Sequence, residues 1–250
     1  MIKGVLIGDP VDKSISHITH NEIFRKSGIS GVYEKRVIRI EEVAALKQEE
    51  YNFLAVTMPL KEAILSFLDE GPGGPINTIL VREGKWIGYN FDGIACLNAI
   101  ERVEKVSGKR VLVLGAGGAA KSAISEAKVR GADVYVYNRT YERALNLGVT
   151  VLREVTEVFD VIIQATSVGM LSRGLPMDPR LISCNTIVME MVYNPPKTWF
   201  VEEALKRGAR VVFGYEMFAE LTFAQFDLAT CGKVDKALVH EVIKSFFAEN

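Results

Sequence analysis

The amino-acid sequence predicts an α/β fold in two domains, the second of them a doubly wound domain of the Rossmann type. Near-continuous apolar runs alternate with helical patterns from end to end, which is typical of parallel strands covered on both faces. This alternation is interrupted once and starts again at Lys109. A glycine-rich turn follows the first strand of the second series, as it does in Rossmann-type domains.

The first series contains three apolar runs that we expect to form strands. They are KGVLIG (3–8), VYEKRVI (32–38) and NFLAV (52–56), and helices are expected near 16–27, near 41–48 and from Pro59. The segment NTILVREGKWIGYN (77–90) breaks the rhythm and predicts a hairpin across the turn Glu83-Gly84-Lys85. A helix through GIACLNAIERVEKV (93–106) then leads to a stop at Gly108 and connects the two domains.

The second series predicts five strands, with helical patterns after the first, second and fourth. The strands are RVLVLG (110–115), DVYVYN (133–138), DVIIQAT (160–166), TIVMEMVY (186–193) and ARVVF (209–213). Two more helical patterns begin near 215 and 234 and are expected to fold back on the first domain. We therefore predict a first domain of residues 1–94 plus 219–250 and a second domain of residues 95–218.

Composition excludes several classes of partner. Thirty basic and 31 acidic residues give a net charge of −1, which favours neither nucleic acid nor an acidic membrane surface. The first apolar run is too short for a signal peptide, and no run approaches transmembrane length. The three cysteines lack metal-type spacing, and His17 and His20 have no third ligand nearby. We expect a soluble cytoplasmic protein without a metal site.

The turn GAGGAA (115–120) predicts a dinucleotide site. Gly115 permits the tight turn, Gly117 lets a pyrophosphate approach the backbone, and Ala120 lets helix and strand pack closely. The helix that follows offers unpaired N–H groups and the positive end of its dipole to the anion. The intervening cofactor-binding candidates of this turn are Ala116, Gly118 and Ala119. The alternative is a turn with a structural role alone.

The end of the next strand indicates which nicotinamide cofactor binds. An NAD site usually has an acidic residue there, which accepts a hydrogen bond from the ribose 2′-hydroxyl. This strand ends instead in Asn138, Arg139 and Thr140, with Arg143 one turn further. Such donors suit a 2′-phosphate, so NADP is the predicted cofactor. The alternative is that both arginines are solvated surface charges.

A lysine follows the apolar run NFLAV in an unusual position. The sequence continues TMPLK, so Thr57, Pro59 and Lys61 come directly after a buried strand. Lysine is costly to bury, and the simplest interpretation places Lys61 on the solvent side of the next helix. The alternative is an ammonium group held at the carboxyl edge of the sheet for chemistry.

Taken in order, the motifs resemble those of the shikimate dehydrogenase family over nearly the whole chain. The matching pieces are Gly8-x-Pro10, Ser14-x-Ser16, His20-Asn21, Val56-Thr57-x-Pro59-x-Lys61, Asn77-Thr78, Gly88-x-Asn90-x-Asp92-Gly93, the GAGGAA turn, Asn138-Arg139-Thr140, Ala165-Thr166-Ser167-x-Gly169-Met170, Val192-Tyr193-Asn194-Pro195 and Gly214-x-x-Met217. Any one piece is weak evidence, whereas their order and spacing together are specific.

The resemblance implies an NADP-linked, reversible reduction of 3-dehydroshikimate to shikimate between a substrate domain and the Rossmann-type domain. It also implies the site residues. Ser14 and Ser16 bind the substrate carboxylate, with Tyr193 nearby, while Thr57, Lys61, Asn77 and Asp92 contact the ring hydroxyls and the reacting oxygen. Further cofactor contacts fall on Thr166, Gly214 and Met217. Ketone reduction needs a cation and a proton donor at the oxygen, which suits Lys61 oriented by Asp92.

Several of these residues also have a structural alternative. The two serines would simply cap the following helix, and the Asn77 amide would bind hairpin backbone. Tyr193 would belong to a strand-ending turn, and Met217 would be a packing residue.

Six positions depart from the family pattern. They are Lys13 for His, His17 for Pro, Ala55 for Asn, Phe91 for Thr, Gln164 for Asn, and Leu221 for a substrate-binding Gln. Gln225 lies one helical turn past Leu221 and is the candidate to take over part of that binding role. These departures leave two alternatives open: a paralogue that prefers quinate or another polyhydroxy acid, and a non-catalytic NADP-binding sensor. The oligomeric state, monomer or homodimer, is also open.

Overall fold

The computed structural model describes residues 1–170 and 173–249. The chain divides into two compact units, Met1–Phe91 with Leu221–Asn250, and Asp92–Glu220. The sequence predicts domain boundaries at 94/95 and 218/219. Within the described residues, no helix is both long enough and apolar enough to cross a membrane.

The first unit is built on a mixed five-stranded sheet. Its elements are β1 (Ile2–Gly8), α1 (Ser16–Ser27), β2 (Gly31–Val37), α2 (Val43–Leu46), β3 (Phe53–Val56), α3 (Leu60–Ala63), β4 (Thr78–Arg82) and β5 (Lys85–Tyr89). The strand order is β2-β1-β3-β4-β5. β2, β1 and β3 run parallel, and the hairpin of β4 and β5 adds to β3 in the antiparallel direction.

The central strands β1 and β3 explain why this sheet forms. All four residues of β3 are buried, as expected for a strand covered on both faces. One core cluster joins Val5 and Ile7 of β1 to Leu54 and Val56 of β3. Burial of such aliphatic side chains stabilises the unit by about 1.5–3 kcal/mol for each residue.

This topology brings four chain segments to one edge of the sheet. The carboxyl ends of β1, β3 and β5 lie there together with the amino end of β4, because β4 alone runs in the opposite direction. Backbone hydrogen bonds continue the ladder past the strands: Val56 N–H donates to the Asn77 carbonyl at 2.8 Å, and Asn77 N–H donates to the Tyr89 carbonyl at 3.1 Å. The segments that leave this edge carry most of the predicted substrate residues.

The second unit is a six-stranded, all-parallel sheet of the doubly wound type, which confirms the predicted fold class. Its elements are α4 (Asp92–Glu101), β6 (Arg110–Leu114), α5 (Gly118–Val129), β7 (Asp133–Tyr137), β8 (Thr150–Leu152), β9 (Val161–Gln164), β10 (Ile187–Glu190), α6 (Trp199–Lys206) and β11 (Arg210–Val212). The strand order is β11-β10-β9-β6-β7-β8. The long helix α7 (Gly214–Thr230) passes from this unit into the first, and α8 (Lys236–Glu249) packs on α1 within the first unit.

Several helices are shorter than the sequence predicts. The helix expected to reach Gly108 ends at Glu101, whose carboxylate accepts a hydrogen bond from the Val106 N–H at 3.3 Å, while Val106 itself is buried. The helix expected near 41–48 is a 3₁₀ turn followed by α2, and the helix expected after β7 is a 3₁₀ turn at Tyr141–Ala144. Tertiary contacts outweigh helix propensity in segments this short.

Helices α4 and α5 of the second unit pack closely because Gly93 has no side chain. A Cβ atom on Gly93 would lie 2.3 Å from the carbonyl oxygen of Ser122, which belongs to the backbone of α5. A salt bridge of 3.0 Å between Arg130 and Glu101 lies along the same helix pair.

We expect Gly93→Ala to lower the free energy of unfolding by about 2 kcal/mol. Forcing a methyl group against helix backbone costs up to about 3 kcal/mol, which exceeds the gain of about 1 kcal/mol in helix propensity. Urea unfolding of both variants measures the difference. The control is Gly73→Ala, since a Cβ there meets nothing within 4 Å. Equal stability of Gly93→Ala and the wild type would refute the close-packing argument.

Candidate active site

Ser14 and Ser16 form a hydroxyl pair in the segment that follows β1. Their Oγ atoms lie 2.9 Å apart, with Ser16 buried and Ser14 half-buried. The N-cap position of α1 is Ile15, which makes no side-chain cap, while the Ser14 Oγ accepts from the Ser16 N–H, the first of α1, at 3.3 Å. Two adjacent hydroxyl groups are suited to donate two hydrogen bonds to one carboxylate.

Lys35 supports this serine segment, a role that is not predicted from the sequence. Its ammonium group donates to the carbonyl oxygens of Asp12 at 2.7 Å and Ser14 at 3.1 Å. Partial burial, followed by the charge of Lys35, lowers the pKa of His17 below its ordinary value. Lys35 therefore adds a fixed positive charge close to the two serines. Its position on β2, beyond the intervening helix, carries no sequence signal that points to Ser14.

The turn from Thr57 to Lys61 is held by backbone contacts with the end of β1. Thr57 N–H donates to the Ile7 carbonyl at 2.9 Å, and the Met58 carbonyl accepts from Asp9 N–H at 3.0 Å. Lys61 is the second residue of α3 and is half-buried, so it is not on a fully solvated helix face. Its carbonyl accepts from Ile76 N–H at 2.7 Å, next to the start of β4.

Asn77 is buried where β4 begins, and its amide binds backbone, as the structural alternative expected. Its Oδ1 accepts hydrogen bonds from the Phe91 N–H at 3.1 Å and from the Thr78 hydroxyl at 2.8 Å. Phe91 directly precedes Asp92, which is the buried first residue of α4. The neighbouring Asn90 likewise donates from Nδ2 to the Pro75 carbonyl.

Gln225 lies on the part of α7 that belongs to the first unit. Its side chain is buried, and Nε2 donates to the Thr78 hydroxyl at 2.9 Å and approaches the Asn77 carbonyl at 3.5 Å. The first unit thus contains two separate contacts between predicted substrate residues: Gln225 approaches Asn77, and Ser14 is hydrogen-bonded to Ser16. Lys61 belongs to the first unit and Asp92 to the second, so their pairing stays a prediction.

The glycine-rich turn of the second unit fits a dinucleotide. Gly115 has φ of 118°, and a Cβ there would lie 3.2 Å from the Ala165 carbonyl oxygen. Gly117 is exposed, a Cβ on it would meet nothing within 4 Å, and no side chain caps the helix that begins at Gly118. The first N–H groups of α5 therefore keep their hydrogen-bonding capacity for an anion.

The segment after β7 carries the predicted 2′-phosphate residues. Arg139, Thr140 and Arg143 are exposed, and Asn138 donates from Nδ2 to the Thr140 carbonyl at 2.7 Å. Within residues 1–170 and 173–249, neither arginine forms an ion pair. The Asn138 bond tightens the turn that holds Arg139, and both guanidinium groups face solvent, where a phosphate can reach them.

Gln164 organises the loop that contains Thr166. Its Oε1 accepts from the backbone N–H and the hydroxyl of Thr166 at 2.9 and 2.8 Å, and its Nε2 donates to the Val168 carbonyl at 2.9 Å. Gln164 is fully buried at the end of β9. The substitution of Gln for the family's Asn therefore leaves a residue that binds the loop with both ends of its amide.

The segment after β10 is held by the buried carboxyl group of Glu190. Its Oε1 accepts from Val192 N–H at 2.9 Å, and its Oε2 accepts from the Thr198 hydroxyl at 2.7 Å. Next to it, Tyr193 stacks on Phe218 with ring centroids 4.9 Å apart. Glu190 was not predicted from the sequence, because a carboxylate inside an apolar strand gives no sign of its partners.

Gly214 and Met217 lie at the start of α7, in the second unit. A Cβ on Gly214 would lie 2.4 Å from the Val192 carbonyl oxygen, so only glycine fits there. Met217 is buried, which is equally consistent with packing and with a cofactor contact. Among the described residues, no group of His, Cys, Asp and Glu could hold a metal ion.

The fold and the glycine turn together define the chain as a Rossmann-type dinucleotide-binding protein with an additional α/β unit. Residues 6–73 match the family described as the shikimate dehydrogenase substrate binding domain, and residues 98–170 match the shikimate / quinate 5-dehydrogenase family. The chain belongs to the shikimate dehydrogenase family.

Individual relatives match over nearly the whole chain. The shikimate dehydrogenase (NADP(+)) of Thermococcus kodakarensis is 38% identical, with 94% of this chain and 93% of the relative covered. That of Exiguobacterium sp. is 34% identical, with 98% of each covered. The crystal structure of shikimate 5-dehydrogenase from Thermus thermophilus in complex with NADP(H) and shikimate has a TM-score of 0.91 at 30% identity, covering 98% of this chain and 99% of that one.

Glu190 predicts a pH dependence of stability. Burial raises its pKa to about 7, although the hydrogen bonds from Thr198 and the backbone oppose that shift. The folded state then favours the protonated carboxyl, so this stabilisation is fully present below pH 4.5 and is lost as the pH rises to about 7. At about 1.4 kcal/mol for each pH unit, the loss amounts to about 3 kcal/mol.

Glu190→Gln, which resembles the protonated carboxyl, should remove most of this slope. The measurement is the free energy of unfolding in urea at several pH values between 4.5 and 8. The control is Glu203→Gln, because Lys206 lowers the pKa of Glu203 and that substitution cannot flatten the slope. An unchanged slope in Glu190→Gln would contradict the assignment.

Proposed function

We propose that this protein catalyses the reversible, NADP-linked reduction of 3-dehydroshikimate to shikimate in the shikimate pathway, which leads to aromatic amino acids. The observation that carries the proposal is the similarity, over nearly the whole chain, to relatives named as NADP-dependent shikimate dehydrogenases. We expect it to act in the cytoplasm on this small-molecule substrate, as a monomer or a homodimer.

The sheet edge of the first unit offers groups that match the substrate. Shikimate carries one carboxylate and several ring hydroxyls. The adjacent hydroxyls of Ser14 and Ser16 provide donors for the carboxylate, and the ammonium of Lys35 lies within 3.1 Å of the Ser14 carbonyl. Thr57 and Asn77 supply one hydroxyl and one amide for the ring hydroxyls. Tyr193 is assigned to the carboxylate end by family resemblance alone.

The proton required by the reaction is assigned to Lys61. NADPH, when bound, supplies the hydride that attacks the substrate carbonyl carbon. Lys61 donates a proton to the carbonyl oxygen as negative charge develops there, and it accepts that proton in the reverse direction. The orientation of the Lys61 ammonium is assigned to Asp92, as the family resemblance implies.

The second unit supplies the assigned cofactor contacts. The open backbone around Gly117 accommodates the pyrophosphate at the amino terminus of α5. Arg139 and Arg143 bind the 2′-phosphate, and Thr166, placed by Gln164, borders the turn at Gly115. No acidic side chain stands at residues 138–140, where it would repel that phosphate.

The proposal is tested with purified protein, offered NADP or NAD together with shikimate or quinate. Nicotinamide absorbance at 340 nm follows turnover. Reduction of NADP with shikimate supports the proposal. Preferential turnover of quinate would indicate the paralogue, and binding of NADP without turnover of either acid would indicate a sensor.

Lys61→Ala should lower kcat by roughly 10²- to 10⁴-fold, the usual contribution of a general acid. Asp92→Asn should also lower kcat. The double variant should lose much less than the product of the two effects, since both side chains take part in the same proton-transfer step. The Kd for NADP should barely change in any of them. The matched control is Lys85→Ala, an exposed lysine of the same unit. Near wild-type turnover of Lys61→Ala would return this lysine to a surface role.

Arg139→Ala should weaken NADP binding roughly 10- to 100-fold while leaving NAD nearly unaffected, because a hydrogen bond to a charged group contributes about 1.5–3 kcal/mol. Isothermal titration with each cofactor measures the two affinities. Arg180→Ala, an exposed arginine of the same unit, is the control and should affect neither cofactor. Equal losses for NADP and NAD would overturn the 2′-phosphate assignment.

A further inference from the structure

Three polar side chains of the first unit are almost completely buried and are hydrogen-bonded in series. They are Gln225, Thr78 and Asn77, with exposed fractions of 4%, 0% and 3%. Buried polar groups are costly unless they are paired, so such a series has a preferred arrangement of donors and acceptors.

The series begins at Gln225. Its Nε2 donates to the Thr78 hydroxyl at 2.9 Å and approaches the Asn77 backbone carbonyl at 3.5 Å. Because a carbonyl oxygen can only accept, the Gln225 amide turns its nitrogen, not its oxygen, towards Thr78 and Asn77.

The direction of the Gln225 hydrogen bond determines the direction of the next one, from Thr78 to Asn77. Its hydroxyl oxygen accepts from Gln225, and its single hydrogen is therefore available for the Asn77 Oδ1, 2.8 Å away. The same Oδ1 accepts from the Phe91 N–H at 3.1 Å. With two donors at its oxygen, the Asn77 amide has only one favourable orientation, in which Nδ2 is directed away from Thr78 and Phe91.

We propose that Gln225 and Thr78 are positioning residues that lock the amide of Asn77 so that it presents N–H, not C=O, to a ring hydroxyl of the substrate. This inference rests on the proposed function, which assigns Asn77 to that hydroxyl. Gln225 then acts on the substrate through Asn77 and does not touch it. The family's substrate-binding Gln is replaced by Leu221 in this chain. The positioning role explains why a buried glutamine, Gln225, lies one helical turn further on.

A double-mutant cycle separates this role from a direct contact. Gln225→Leu should raise the KM for shikimate roughly 5- to 10-fold, with a smaller effect on kcat and no effect on the KM for NADP. In an Asn77→Ala background the same substitution should have almost no further effect, because its target is gone. Effects that multiply in the double variant, or a Gln225→Leu variant with wild-type KM, would overturn the proposal.

Thr78 provides a matched pair of variants that controls for folding. Thr78→Ser keeps the hydroxyl and should retain the wild-type KM, whereas the isosteric Thr78→Val should resemble Gln225→Leu. Thermal unfolding is measured for both. If Thr78→Ser raises the KM as much as Thr78→Val does, or if the KM simply follows the folded fraction, the hydroxyl has no positioning role.

The locked amide is also observable without substrate. In the ligand-free protein, the side-chain amide signal of Asn77 in a ¹⁵N–¹H spectrum, assigned by its loss in Asn77→Ala, should shift in Gln225→Leu and Thr78→Val and stay in place in Thr78→Ser. An unmoved signal in Thr78→Val would overturn the inference. A wild-type protein that does not oxidise shikimate would instead refute the proposed function, whatever the amide signal does.

Discussion

The hydrogen-bonded ladder across β1, β3, β4 and β5 is the constraint on which the first unit's site depends. Because β4 enters antiparallel, its first residues lie at the same edge as the carboxyl ends of the other three strands. The segments that carry Ser14, Thr57 and Asn77 all leave from that edge. The ladder continues past the strands at Val56 and Asn77, so a shift of register by one residue would move every one of these groups.

Loops at both sheet edges are held by buried polar side chains that bind backbone. Gln164 holds the loop of Thr166, Glu190 holds the segment after β10, and Asn77 holds the chain entering α4. Each makes at least two hydrogen bonds, which offsets the cost of its burial. Groups presented by these loops are thus pre-organised by the unit to which they belong.

Two departures from the family pattern have a local explanation. Phe91 replaces a threonine, but its backbone N–H binds Asn77, and its ring lies nearly parallel to that of Tyr89, with centroids 6.0 Å apart. Gln164 is one methylene longer than asparagine and still binds the loop at both ends of its amide. Nothing in the structure explains Ala55, which is buried within β3. A residue of a family motif can therefore be replaced where the structure depends only on its backbone N–H, as at Phe91, or only on its amide group, as at Gln164.

The fold class, every strand listed above except β8, the glycine turn and the place of Lys61 after β3 follow from the sequence, because apolar periodicity and turn chemistry are local properties. The short strand β8, the end of α4 at Glu101, the support of Ser14 by Lys35, and the contact of Gln225 with Thr78, 147 residues away, depend on tertiary contacts. Neither partner of such a pair carries a sign of the other. The direction of a buried hydrogen bond depends on which donors the fold brings together, and no stretch of sequence encodes that alone.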